Sequence, residues 1–457
     1  MPRTSNSEAE FFFHQGLQLN RAGAFEDAVT SFTRALEIDP NWHEPWYMKG
    51  VSLSELGRYS DAVSSFNYAI DLKPNYPEAL NSRGIVLFHL GSYEAAIASY
   101  DKALHFQPTF HRAWYNRGNA LEKSGCYEAA LKSYEKSLEL EPDYSKCWYN
   151  RAIILYKLGQ YEDALTSYDK AIEFRPHYSN AWYNRANILH RLHRYPEALD
   201  NYERVLQIKP DWHEVWYNQG NVLHKLGRHE EAIASYKQAL KLKPELHEAW
   251  YNQGNAFDAL GQYEEAIGSY KRALELKPNL REAWYNWGST LHKSGRYQEA
   301  IKSYDRAIKL DSKFARAWYS RGSAFRKLGM YAEAIASYDK AVQYQSDLYE
   351  AWHGRGVALG HLGHNEAAIE SYDKALHIKP DSHATWYSRG VALSHIGSHD
   401  AALDSYNRAL QIKPDSPQAI SRRNLALNQG SLPILAPDKD NGLEGFDFPM
   451  TTTKMIV

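Results

Sequence analysis

The sequence predicts an all-α, right-handed superhelical solenoid of antiparallel helix hairpins, and three observations carry that prediction. First, Trp114, Trp148, Trp182, Trp216, Trp250, Trp284, Trp318, Trp352 and Trp386 stand 34 residues apart, with Trp46 two periods before Trp114. Second, every period holds two clusters of small and apolar residues at helical spacing. Third, Gly and Pro punctuate each period at constant places.

Counted from three residues before that Trp, units begin at Ala9, His43, Pro77, His111, Ser145, Ser179, His213, His247, Arg281, Ala315, Tyr349 and His383, so twelve units cover 9–416. Leu80 fills the Trp slot of the third. Within a unit the small and apolar slots are 4, 8, 11, 20, 24 and 27, as in Trp216, Gly220, Leu223, Ala232, Tyr236 and Ala239. At about 100° per residue the first three share one helix face, and so do the last three. Each unit is therefore two amphipathic helices. Slot 15 is Gly in every unit but the sixth, where it is His193, and Gly suits the left-handed turn that ends a helix. Slot 32 is Pro in all but the ninth and tenth units, which have Ser312 and Ser346 and so predict a softer joint there.

A hairpin of this size cannot bury its own apolar face, so successive units stack and share a core. Residues 1–8 are expected to be a flexible segment and 417–430 a polar capping helix, with Arg422, Arg423 and Asn424. Residues 431–457, with Pro433, Pro437 and Pro449 among charges, are expected to be a disordered tail.

A net charge of -2 creates no field to attract nucleic acid or an anionic membrane surface. No apolar run approaches a membrane span, and two cysteines, Cys126 and Cys147, make no disulfide framework, so a soluble cytoplasmic protein is expected. The 20 histidines, His361 with His364 included, lack clustered Cys or carboxylate partners, so no metal is expected. No nucleophile–base constellation or phosphate loop stands out of the repeat. The chain is accordingly read as carrying no catalytic residues and no cofactor, and as not being an enzyme.

The recurring Trp, Gly, Tyr, Gly, Tyr, Ala, Phe/Tyr, Ala and Pro, as in WYNQGNVLHKLGRHEEAIASYKQALKLKP, resembles the tetratricopeptide repeat (TPR) family in its bacterial and cyanobacterial arrays. That resemblance implies a concave groove and a non-catalytic protein–protein interaction scaffold, which binds an extended polypeptide and helps assemble multiprotein complexes. The alternative is a substrate-recruiting or regulatory subunit of an enzyme complex.

On the first helix of each unit, slots 2, 5, 9, 12 and 13 lie opposite the packed face. Slot 5 supplies Tyr115, Tyr149, Tyr183, Tyr217, Tyr251 and Tyr285, and slot 6 supplies Asn116, Asn150, Asn184, Asn218, Asn252 and Asn286. Slot 9 adds Asn119, Asn187, Asn221 and Asn255. Tyr offers broad apolar area with a polar tip, and Asn both donates and accepts. Such a row either grips an extended backbone or stabilises the inner helix surface. The chain is also similar to the superhelical arm of protein O-linked N-acetylglucosamine transferase, which implies peptide-backbone binding by the slot 6 asparagines. The family's carboxylate clamp, by contrast, requires Lys where slot 5 here is Tyr. Slot 13 supplies Lys123, Lys157, Arg191, Lys225, Lys293 and Lys327, a basic groove edge that would favour an acidic client. Slots 7 and 25 change together, Arg with Asp or Glu, and predict ion pairs either within a unit or across the junction to the next.

Overall fold

The computed structural model describes residues 3–428, and among these it has 25 helices and no strand. They run from α1 (Arg3–Arg21) and α2 (Phe25–Ile38), through alternating helices of 13 and 14 residues, to α23 (His383–His395) and α24 (His399–Ile412). A single α25 (Pro417–Asn428) follows. The chain divides after Pro210 into two compact units. The first holds α1 to α12 (Tyr195–Ile208), and the second starts at α13 (His213–Lys225). Within each, every helix packs on the next in chain order, so the hairpins stack. First helices of neighbouring pairs also touch, as α5 (Pro77–His89) does α7 (His111–Lys123) in the first unit.

α1 begins at Arg3, ahead of the first repeat, with no Gly or Pro between there and the buried Ala9. At the other end α25 packs on α24 and buries Ala419. Its outer side also exposes Ile420, Leu425 and Leu427, so it is less polar than its arginines suggest. The expected tail, 431–457, lies outside the described residues.

Local chemistry sets each hairpin. Where the chain reverses, the slot 15 glycines have φ between 73° and 79°, and His193 is the one described non-Gly residue with positive φ, at 59°. In this turn the amide of Cys126 reaches back to the Leu121 carbonyl at 2.9 Å, satisfying a helix end. The two helices then close over the slot 24 Tyr. A Cβ on Gly118 would stand 2.5 Å from the ring of Tyr134, which is fully buried. Slot 8 is thus confined to the smallest side chains: most repeats have Gly, and repeats five and six have Ala152 and Ala186, also fully buried, where the facing rings of Tyr168 and Tyr202 leave room for one methyl.

The recurrent Trp secures the junction. Its indole N–H donates to the slot 32 carbonyl of the preceding repeat, for example Trp148 Nε1 to Pro142 O at 2.8 Å. Trp318 and Trp352 make the same bond to Ser312 and Ser346 at 3.0 Å, so both serine junctions keep the proline geometry. The charged slots pair across junctions. Arg117 Nε donates to Asp101 Oδ1 at 2.6 Å, Arg185 to Asp169 at 2.7 Å, Arg321 to Asp305 at 2.7 Å and Arg389 to Asp373 at 2.6 Å. The opposite end of each guanidinium reaches its own repeat, as Arg117 Nη1 does Ser133 Oγ at 2.7 Å. Each such arginine therefore ties two second helices together through a first. Where slot 25 becomes Lys237 or Lys271, the following slot 7 is Gln253 or Trp287, and no like charges meet.

Candidate functional site

In the first compact unit the row of interest lies on α7, α9 (Ser145–Lys157) and α11 (Ser179–Arg191). Tyr115, Tyr149 and Tyr183, with Asn116, Asn119, Asn150, Asn184 and Asn187, are all half-buried. Their polar groups form a ladder between repeats. Asn150 Nδ2 donates to Tyr115 Oη at 3.1 Å and to Asn119 Oδ1 at 2.8 Å. Asn184 Nδ2 donates to Tyr149 Oη at 3.1 Å, and Asn116 Nδ2 to Asn81 Oδ1 at 3.0 Å. Asn119 and Asn187 also accept from the core hydroxyls of Tyr134 and Tyr202, at 2.8 and 2.7 Å.

The second unit continues the pattern on α13, α15 (His247–Ala259) and α17 (Arg281–Lys293), but more deeply. Tyr217, Asn218 and Tyr285 are half-buried, whereas Asn221, Tyr251, Asn252, Asn255 and Asn286 are buried. Asn252 Nδ2 donates to Tyr217 Oη at 3.1 Å and to Asn221 Oδ1 at 3.0 Å. Asn286 repeats the arrangement with Tyr251 and Asn255 at 2.8 and 3.2 Å. Burial holds the Tyr217 hydroxyl up at about 12, against the opposing pull of its Asn221 and Asn252 bonds, so it stays neutral at physiological pH. Within each unit the slot 6 amides of Asn116, Asn150, Asn184, Asn252 and Asn286 therefore stitch a repeat to its predecessor, and their side chains do not all face open solvent.

The basic edge is partly self-neutralised. Lys157 pairs with Glu122 at 2.8 Å and Lys293 with Asp258 at 2.6 Å, in each case a slot 12 carboxylate of the preceding repeat. Lys157 also lies over the Tyr127 ring at 5.1 Å, and Arg191 over Tyr161 at 5.4 Å while bonding Tyr156 Oη at 3.4 Å. Lys123 and Lys225 are exposed, and Lys327 is half-buried. Sequence reasoning missed the tyrosine beds at slot 17; their signal is Tyr127 or Tyr161 in the preceding repeat, 30 residues before a long cationic residue at slot 13.

Among the described residues no three His, Cys, Asp or Glu are placed to hold a metal ion, and no helix is long and apolar enough to cross a membrane. The two cysteines are free, Cys126 exposed and Cys147 buried.

Tetratricopeptide repeat models match residues 47–109, 111–144, 145–178, 177–245, 215–280, 285–351 and 353–417. No curated protein matches the chain. Among solved structures, YrrB, described as a TPR protein with an unusual peptide-binding site, is 22% identical over 41% of this chain and 97% of its own, with a TM-score of 0.38. The APC/C hetero-tetramer Cut9-Hcn1 is 14% identical over 93% of this chain and 97% of its own, at 0.42. The C-terminal part of a TPR repeat-containing protein from Cytophaga hutchinsonii is 16% identical over 52% and 98%, at 0.47. With repeat models matched along most of its length and helix hairpins stacked in register with them, the chain belongs to the tetratricopeptide repeat family of protein-interaction scaffolds.

Proposed function

We propose that this scaffold is non-catalytic and cytoplasmic, holds an extended, acidic polypeptide segment against its first-helix face, and so gathers proteins into complexes. The observation that carries the reading is the half-exposed row Tyr115, Tyr149 and Tyr183 with Asn116, Asn150 and Asn184, delivered from the same slots once per repeat. Identical groups at a fixed interval suit the one feature every extended chain repeats, its backbone. The bonds from Asn150 and Asn184 to the preceding tyrosines fix the rings before any client arrives, which lowers the ordering cost of binding. The exposed Lys123 and Lys225 supply the preference for acidic clients, and the near-neutral chain gives nucleic acid no comparable attraction.

A photo-crosslinking amino acid, p-benzoylphenylalanine, in place of Tyr149 tests the face directly. The control carries it in place of Lys136, an exposed residue on the second helix α8 (Tyr127–Leu140). With the full chain and extended Glu-containing peptides, crosslinks should form from position 149 and not from 136. Crosslinks from 136 alone would put the client on the second helices and defeat the proposal.

A further inference from the structure

The ninth repeat departs from its neighbours at two slots that meet in space. Slot 1 is Arg281, the only arginine at that slot, and slot 31 of the same repeat is Asp311, where the flanking repeats have Lys277 and Gln345. The Arg281 guanidinium donates through Nη1 to Asp311 and through Nη2 to Glu282. It also lies 4.7 Å from the centroid of the Phe314 ring, which packs against Tyr285 at 5.1 Å. Beside this fixed group opens a cavity of about 580 Å³, walled by Tyr285, Phe314 and Tyr344 and rimmed by Lys313 and Arg316. That volume falls within the range of small-ligand and side-chain pockets, roughly 300–1,000 Å³.

The charges are unevenly spent. Both pocket carboxylates, Glu282 and Asp311, are engaged by Arg281. Lys313 and Arg316 are exposed and their side chains form no ion pair among the described residues. Aromatic walls beside a stacked guanidinium favour a flat ring, and two uncommitted cations at the mouth favour carboxylates next to it.

We propose that the ninth and tenth repeats form an anchor pocket that takes an aromatic side chain flanked by acidic residues in the bound polypeptide. This rests on the peptide-binding reading above and adds the residue class that sets register along the array. Regular backbone recognition alone lets a client slide by one repeat, and a single pocket for a ring fixes where it stops.

Fluorescence anisotropy with the full chain and four labelled, C-terminally amidated peptides on one Gly-Ser frame tests it. Their centres are Glu-Trp-Glu, Ser-Trp-Ser, Glu-Ser-Glu and Lys-Trp-Lys. The first should bind about tenfold or more tighter than each of the others, by the combined loss of ring or rim charge. Lys313→Glu with Arg316→Glu, both on the surface, should remove that advantage and favour the Lys-flanked peptide, with the circular dichroism spectrum unchanged. Equal binding of Glu-Ser-Glu and Glu-Trp-Glu, or no response to charge reversal, overturns the pocket. So does a free-acid Glu-Ser-Glu peptide that matches Glu-Trp-Glu, since the site would then be reading a chain terminus. If all four bind equally, the pocket and the preference for acidic clients fall while backbone recognition by the groove stands; if none binds, both proposals fall.

Discussion

Replacing Asp169 and Arg185 with Ala, singly and together, measures what the cross-junction arginine ladder contributes. Arg185 Nε lies 2.7 Å from Asp169 Oδ1, and its Nη1 donates to Asn201 Oδ1 at 3.0 Å. The arginine is 17% exposed and the aspartate 57%, so solvent and salt screen the pair to the upper end of the surface range, about 1 kcal/mol. Losing Arg185 costs more, about 2–3 kcal/mol, because the buried Asn201 carbonyl also loses a charged donor. The two single losses should therefore exceed the double loss by about 1 kcal/mol. Glu203, the slot 25 residue of Arg185's own repeat, is the control, and its loss should add to that of Arg185 within about 0.5 kcal/mol. Repeat arrays need not unfold in one step, so urea unfolding followed by circular dichroism should be fitted with nearest-neighbour interface energies. Additivity for Asp169 with Arg185, or coupling for Glu203 with Arg185, would refute the cross-junction ladder.

Four further outcomes follow from individual positions. His193 sits at φ 59° in a turn that elsewhere uses Gly, so His193→Gly should stabilise its hairpin by about 1 kcal/mol and slow hydrogen exchange in α12; faster exchange would mean that the 2.7 Å contact of its ring with Tyr195 Oη matters more. Ser312→Pro should stabilise by about 0.4–1 kcal/mol, since the junction already has the bond found at proline junctions, and a lower melting temperature would show a backbone mismatch. Asn252→Ala should cost about 1–3 kcal/mol by removing the shared donor of Tyr217 and Asn221, and a neutral result would remove the stitching role. His353 is buried beside Thr385 Oγ1, 3.1 Å away, and burial lowers its pKa from the usual 6.5 to about 3. The unfolded chain thus takes up a proton that the folded one refuses. Stability is full above pH 6.5 and should fall by up to about 1.4 kcal/mol per pH unit below it; His353→Gln should flatten that slope, and an unaltered slope would assign it elsewhere.

The helix pairs were legible because each slot answers to one dominant constraint. Trp at slot 4, Gly at slot 15 and Pro at slot 32 mark packing, reversal and exit in almost every repeat, and α1's early start was hidden only because residues 3–8 lack the repeat pattern. The polar face was harder to read. A helical wheel sets Asn150 and Asn252 away from their own hairpin's packed face, yet their partners are Tyr115 and Tyr217, 35 residues earlier. Neighbouring first helices supply a second buried side that a single-helix projection omits. The arginine ladder was half visible, since covariation of slots 7 and 25 linked the residues but left open which repeat holds the partner. The cavity beside Arg281 had no periodic signal at all, because it arises where one repeat breaks the pattern.

Hydrogen exchange of the full chain with and without a saturating Glu-containing peptide tests the central claim most directly, because it reports every helix at once. A peptide held on the first-helix face slows exchange along α7, α9 and α11 and leaves the second helices α8, α10 (Tyr161–Phe174) and α12 little changed. Protection confined to the second helices would contradict it.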